Sequence, residues 1–371
     1  MRYIGNKTRL LPFILDAVDL LRLPAGTVHD AFAGTAAVGR ALKERGWRVG
    51  CSDIMTYSYV YQRAYVVARR APTFASLRAQ EPELRRALRS PHLRRRVASR
   101  GGGALAEIAE YLSSWLEADP AFISAHFGPA GGRMYFTSEN AARIDAIRST
   151  IQRWRDAQII GDDAFFILLA ALLEAADRVA NTAGVYAAYI KQWQPNALKP
   201  LLLTPRLPTA GVAGSTAHRE DAARVARSLP SVDLLYIDPP YNARQYAGYY
   251  HVPEIIARGW FDEPIVLSGK TGLLAVRSQQ SAWCSPRQVG AALDELLEAT
   301  SARDVLVSYN SEGLLPAETL RSQLQSAAGR GAGRVRELRL PYRRYRADSD
   351  HAGRSYRADR VEELLYHVRR R

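Results

Sequence analysis

Apolar residues recur at helical spacing over residues 7–22, KTRLLPFILDAVDLLR, and Pro24-Ala25-Gly26 then breaks the run. TVHDAFAG reads as a buried strand ending in a Gly turn, AAVGRALKERG as a short helix stopped at Gly46, and WRVGCSD as a second strand. Strand, Gly turn, helix and strand in close succession form a βαβ unit, so the pattern predicts an α/β fold with a parallel sheet. From residue 55 to residue 200 strand alternation disappears and helical periods take over. Strong helices are expected over 139–157 and 162–180, the second apolar nearly all round and therefore buried. Strand patterns return at 215–218, at 233–237 (DLLYI) and at 304–310 (DVLVSYN), and VRELRL and EELLYHV read as a terminal hairpin. The expected organisation is one α/β domain built from 1–54 and 201–371, with a helical insertion over 55–200.

The length of 371 residues suits about two domains. The longest uncharged apolar run, Ala164 to Leu173, falls short of the roughly 18 residues a membrane span requires. The opening MRYIGNKTRL has no apolar segment of the signal-peptide kind. A cytoplasmic protein without membrane partners is expected. The two cysteines, Cys51 and Cys284, exclude a disulfide framework and any multi-cysteine zinc site, and the histidines show no metal-ligand spacing, so no metal is expected. A net charge of +14 changes the picture more, because a field of that sign favours polyanions. Only five of the 51 basic residues are lysines, as a GC-rich genome would produce, but that bias does not account for the excess itself. The runs Arg85 to Arg100 and Arg343, Arg344, Arg346 (with Tyr342 and Tyr345) read either as phosphate contacts or as solvated faces. Tyr57, Tyr61 and Tyr65 share a helix face and read as a packed stripe rather than a base-stacking platform.

Asp238-Pro239-Pro240-Tyr241 directly follows the strand DLLYI, where open α/β sheets bind ligands. Two prolines remove two backbone donors and leave their carbonyls as acceptors. With the Asp238 carboxylate and the flat face of Tyr241, the set suits a planar ring bearing an NH2 group; the same residues also suit a plain strand-ending turn. Phe32-Ala33-Gly34-Thr35 at the first strand's end allows a tight turn under a cofactor, although neither a dinucleotide nor a phosphate-loop glycine spacing is present. Asp53 ends the second strand 19 residues after Gly34, placed either to accept both hydroxyls of a ribose or to cap a helix. Tyr3-Ile4-Gly5-Asn6-Lys7 supplies a turn that aims Lys7, which is otherwise a solvated charge.

In this order, YIGNK, FAGT, the acidic residue after the second strand and DPPY resemble the Dam-like DNA adenine N6 methyltransferases. DPPYNARQYAGYYH, YFTSENAARIDAIR, ANTAGVYAAYIKQW, GKTGL and VSYNSEGL resemble segments of bacterial adenine methylases from restriction–modification systems. One departure is Ala36, which stands where the Gly-rich motif F-x-G-x-G has its second glycine. The resemblance implies an S-adenosylmethionine-dependent methyltransferase with a Rossmann-like sheet, and a target-recognition role for the helical insertion. It implies cofactor contacts from Tyr3, Lys7, Asp30, Phe32, Gly34, Asp53, Asp221 and Asp238. It implies a catalytic set of Asp238, Pro239, Pro240 and Tyr241, with Tyr241 stacked on an adenine flipped out of double-stranded DNA. Arg244, Gln245, Arg343 and Arg344 are expected on the DNA side. Any restriction endonuclease is expected on a separate chain. A methyltransferase for the cytosine amine or RNA, or a non-catalytic DNA-binding relative, are the alternatives.

Overall fold

The computed structural model describes residues 1–274, 279–329, 334–343 and 360–370. Nine strands are found among them: β1 Thr27–Asp30, β2 Arg48–Ser52, β3 Thr216–His218, β4 Leu234–Ile237, β5 Leu267–Ser268, β6 Leu273–Leu274, β7 Asp304–Asn310, β8 Arg334–Arg343 and β9 Arg360–Arg369. The described chain separates into two compact units. One comprises Tyr3–Gln62, Ala210–Ala247 and Val276–Arg371, the other Met1–Arg2, Arg63–Thr209 and Gly248–Ala275. These boundaries differ from the expected 54/55 and 200/201, and Gly248–Ala275 joins the helical unit. The reason is local packing: the helix His251–Arg258 is buried along most of its length, and Arg148 of the helical unit donates from Nε to the Ile256 carbonyl at 2.8 Å.

The first unit carries a seven-stranded sheet in the order β3-β2-β1-β4-β7-β9-β8. The five strands from β3 to β7 run parallel, β9 runs antiparallel to β7, and β8 pairs antiparallel with β9 at the sheet's edge, a Rossmann-like arrangement as expected. Alternate residues of the buried strands, Leu235 and Ile237, Val305 and Val307, Leu364 and Tyr366, join one core. The helices Ala222–Ser228, Val289–Ala299 and Ala317–Ala328 cover that face. The expected helix over 7–22 begins at Leu11, because Pro12 belongs in a first turn, where its missing N–H costs nothing.

The second unit is mostly helical. Its two long helices, Ser138–Asp156 and Asp162–Val179, lie within two residues of their expected limits. Thr137 caps the first by accepting from Asn140 N–H. Asp145 on that helix accepts the backbone N–H groups of Ala121, Ile123 and Ser124 at 2.8 Å each, which fixes the start of the helix Phe122–Phe127. No helix among the described residues is long and apolar enough to cross a membrane.

Candidate functional site

Parallel register sets Asp30 of β1 beside Cys51 of β2 and Tyr236 of β4. Asp30, Asp53 and Asp238 therefore reach one edge of the sheet, at the strands' carboxyl ends. A cavity enclosing about 740 Å³ of empty space, its open mouth included, lies there. A second cavity of about 280 Å³ adjoins it; Tyr3, Gly5, Phe32 and Asp238 line both.

The residues expected to hold a cofactor converge on these cavities. Gly34 has φ +50°, and a Cβ on it would stand 2.9 Å from the Tyr3 ring, so a side chain there would force the ring away. Ala36 follows in the left-handed region at φ +56°, which costs an L-residue about 1–2 kcal/mol. The methyl that departs from the glycine pattern is thus carried as backbone strain in the same turn. Asp53 accepts from Gly34 N–H at 3.0 Å on Oδ2 and from Met55 N–H at 2.9 Å on Oδ1, tying the Gly turn to the end of β2 while lining the larger cavity. Phe32 meets Trp283 edge to face at 4.8 Å and supplies an apolar wall. Asp221 also lines the larger cavity, with Oδ1 capping the helix Ala222–Ser228 by accepting from Ala223 and Arg224 N–H. Asp30 is fully enclosed and its Oδ1 has no hydrogen-bond partner. Burial first, and then the charge of Asp238, push its pKa up to about 8. Three clustered carboxyls, one of them short of a partner, suit a ligand that carries positive charge.

On the other side of Asp238 the structure joins residues from both ends of the chain. Lys7, only 4% exposed, sets Nζ 3.1 Å from Asp238 Oδ1 and 3.6 Å from Glu363 Oε2, and donates to the Tyr241 oxygen. Tyr241 donates in turn to Asp238 Oδ1. Burial raises the pKa of Asp238 and Lys7 opposes that shift. Burial and the Asp238 charge hold Tyr241 well above the usual phenol range, so it stays a donor. The contacts fall on Oδ1 of Asp238; no described residue donates a hydrogen bond to Oδ2. Lys7, expected among cofactor contacts, lines the smaller cavity and also pairs with the DPPY carboxylate. Its ammonium lies 4.6 Å over the Tyr241 ring, and Tyr309 meets that ring edge to face at 5.3 Å. Pro239 and Pro240 line the cavity beside them. Glu363, on β9, was not foreseen; its sole trace in the sequence is a carboxylate just before the apolar run LLY.

Residues expected on the DNA side are less uniform. Gln245 commits both ends of its amide to Ser281, donating to its carbonyl at 3.1 Å and accepting its N–H at 2.8 Å, and so shapes the cavity wall. Arg244 beside it is exposed. Arg343 ends β8, where only its backbone is described, and Arg344 and Arg346 lie outside the described residues. Within Arg85 to Arg100, Arg96 and Arg100 pair with the buried Glu110, and Arg85 and Arg94 donate to the carbonyls of Ala79 and Leu88. Tyr57, Tyr61 and Tyr65 are all buried. Cys284 lines the cavity, and burial raises its thiol to about 11, so it is no nucleophile near neutral pH.

Residues 3–322 match the family of D12 class N6 adenine-specific DNA methyltransferases. The type II methyltransferase M.FokI of Planomicrobium okeanokoites is 33% identical over 376 residues, which cover 100% of this chain and 53% of that protein. M.NlaIII of Neisseria lactamica, another type II methyltransferase, is 32% identical over 99% of this chain and 98% of its own length. The modification methylase StsI of Streptococcus sanguinis is 28% identical over 100% of this chain and 52% of its own. The chain therefore spans about half of two of these relatives and nearly all of the third.

Proposed function

The chain belongs to the D12 class of N6 adenine-specific DNA methyltransferases, and from that premise we propose that it transfers a methyl group from S-adenosylmethionine to the exocyclic amine of adenine in double-stranded DNA. The observation that carries this reading is the Asp238 carboxylate at the end of β4, steadied on one oxygen by Lys7 and Tyr241.

S-adenosylmethionine supplies an activated methyl group on a positively charged sulfur. Asp30, Asp53 and the Gly34 turn would hold it, the two carboxyls facing its charge and hydroxyls, with Phe32 and Asp221 along the larger cavity. The amine of adenine is a poor nucleophile, because its lone pair is delocalised into the ring. Asp238 Oδ2 accepts one N–H and a Pro239 or Pro240 carbonyl the other, which favours a pyramidal nitrogen and stabilises the positive charge that grows on it. The raised pKa of Asp238 then makes it a better acceptor for the proton released after transfer. Asp238 has 12% of its side chain exposed, so a base still stacked in a duplex does not reach it. The base is flipped out, with Tyr241 beside it. The helical unit is proposed as the target-recognition region, with Arg244, Arg343 and Arg344 toward the DNA. The biological role proposed is modification alongside a restriction endonuclease.

The test is the product. Duplex DNA treated with the protein and S-adenosylmethionine, digested to nucleosides and weighed, is expected to contain N6-methyladenine; methylated cytosine would overturn the substrate.

Asp30 gives a second expectation. Facing a cation requires its ionised form, and a pKa of about 8 leaves that form at roughly a tenth at pH 7. Affinity for S-adenosylmethionine should therefore rise with pH, about tenfold between pH 7 and pH 9. Calorimetric titration across that range checks it, and Asp30→Asn should flatten the profile. A flat wild-type profile would mean that Asp30 does not face the cofactor's charge.

A further inference from the structure

The sequence GKTGL forms the end of the small antiparallel hairpin β5–β6 in the helical unit, with Leu267 opposite Leu274 and Ser268 opposite Leu273. Gly272 N–H closes the turn onto the Gly269 carbonyl at 3.3 Å. Gly269 and Gly272 have φ +68° and +69°. A Cβ on Gly272 would meet Phe127 at 3.0 Å and Arg133 at 3.1 Å, so the turn sits close against its support.

That support grips three successive carbonyls. Arg133 donates from Nε to Lys270 O at 2.9 Å, from one terminal nitrogen to Gly269 O at 3.2 Å, and from the other to His126 O at 2.9 Å. The Tyr135 hydroxyl, which donates to Tyr186 O at 2.8 Å, lies 3.2 Å from Thr271 O, and a ring nitrogen of His251 lies 3.1 Å from the same oxygen. In a trans peptide the N–H points opposite to the carbonyl. With the carbonyls of Gly269 and Lys270 drawn back onto Arg133, the N–H groups of Lys270 and Thr271 face away from it. No described residue accepts from either. Lys270 is exposed, and neither Lys270 nor Arg133 meets a carboxylate at ion-pair distance among the described residues. The outward side of the turn thus offers two N–H donors and an ammonium, with a second uncompensated cation behind. Such a surface binds a tetrahedral oxyanion. A hairpin of this length closes on its glycines without help, so closure alone does not account for the side chains that grip it.

We propose that the Gly269–Gly272 turn is a binding site for a backbone phosphate of duplex DNA, contacted through Lys270 and the N–H groups of Lys270 and Thr271. This rests on the DNA methyltransferase reading above. An exposed tip has no walls to enclose a free metabolite, but it can reach a phosphate on a large polyanion.

The test measures DNA affinity of the full chain by fluorescence anisotropy between 50 and 200 mM salt, on a methylated-site duplex and an unrelated one. Lys270→Gln should lower the slope of log affinity against log salt by about 0.9, so its affinity falls about 3.5-fold less than the wild type's across that range. The loss at low salt should be equal on both duplexes, and Lys270→Arg should restore the slope. An unchanged slope, or a loss confined to one duplex as base readout would give, overturns the phosphate site. The two readings fail separately. A wild type that methylates adenine while Lys270→Gln keeps the wild-type slope loses only this site. A wild type that binds DNA with the expected Lys270 slope but leaves adenine unmethylated loses only the activity.

Discussion

Replacing Asp238 by Asn should slow methyl transfer by roughly a hundredfold or more, the size of effect that follows loss of one preorganised electrostatic partner. The change keeps the side chain's size and removes the charge that faces the developing cation. Asparagine can also turn its NH2 toward the substrate amine, donor against donor. The protein should still fold, because Lys7 keeps Glu363 as a counter-charge at 3.6 Å. DNA affinity should survive as well, since it is carried by cations elsewhere. Single-turnover assays with bound DNA separate the transfer step from binding. Turnover near that of the wild type would remove Asp238 from the mechanism.

Lys7→Met should have the second large effect, on stability and on the pH profile together. Lys7 is almost fully enclosed and is the cation shared by Asp238 and Glu363. Removing one partner from a buried ionic group leaves the rest uncompensated, at a cost of about 3–5 kcal/mol. The sign of the pH effect follows from Asp238. Burial already raises its pKa, and Lys7 is the first influence that holds it down. Without Lys7 that pKa rises further, so the ionised form that accepts the amine proton is reached only at higher pH. The acid limb of the rate profile should move up, with activity partly recovered in alkaline buffer. The folding deficit should be larger in alkaline than in acidic buffer, where protonation relieves the unpaired Asp238. Urea unfolding in both buffers and a rate profile check this. An unmoved acid limb would show that Lys7 does not govern the carboxylate.

What the sequence determined by itself is the set of groups at the edge of the sheet. Buried strands announce themselves by short apolar runs, and Gly34, Asp53 and Pro239-Pro240 punctuate their ends. Once strands are parallel, their carboxyl ends must lie side by side. Gly34, Asp53 and Asp238 were therefore legible as neighbours although more than 200 residues separate the first from the last. The long helices were legible for a similar reason, since each carries a period that repeats over several turns. The tertiary structure decided the rest. Lys7 read as a cofactor contact or a solvated charge; that it is enclosed between Asp238 and Glu363 only the fold shows, because an ion pair across 356 residues leaves no periodic mark on either segment. Gln245 read as a DNA contact because its exposure, and not its residue type, separates that role from a clamp on Ser281. The strands β5 and β6 are two residues each, too short for any alternation to register. Their turn is shaped by Arg133, Tyr135 and His251, which only the fold brings behind it. Local patterns establish which elements form and how each ends; which charges meet, and which stay unpaired, is settled by packing between segments that share no pattern.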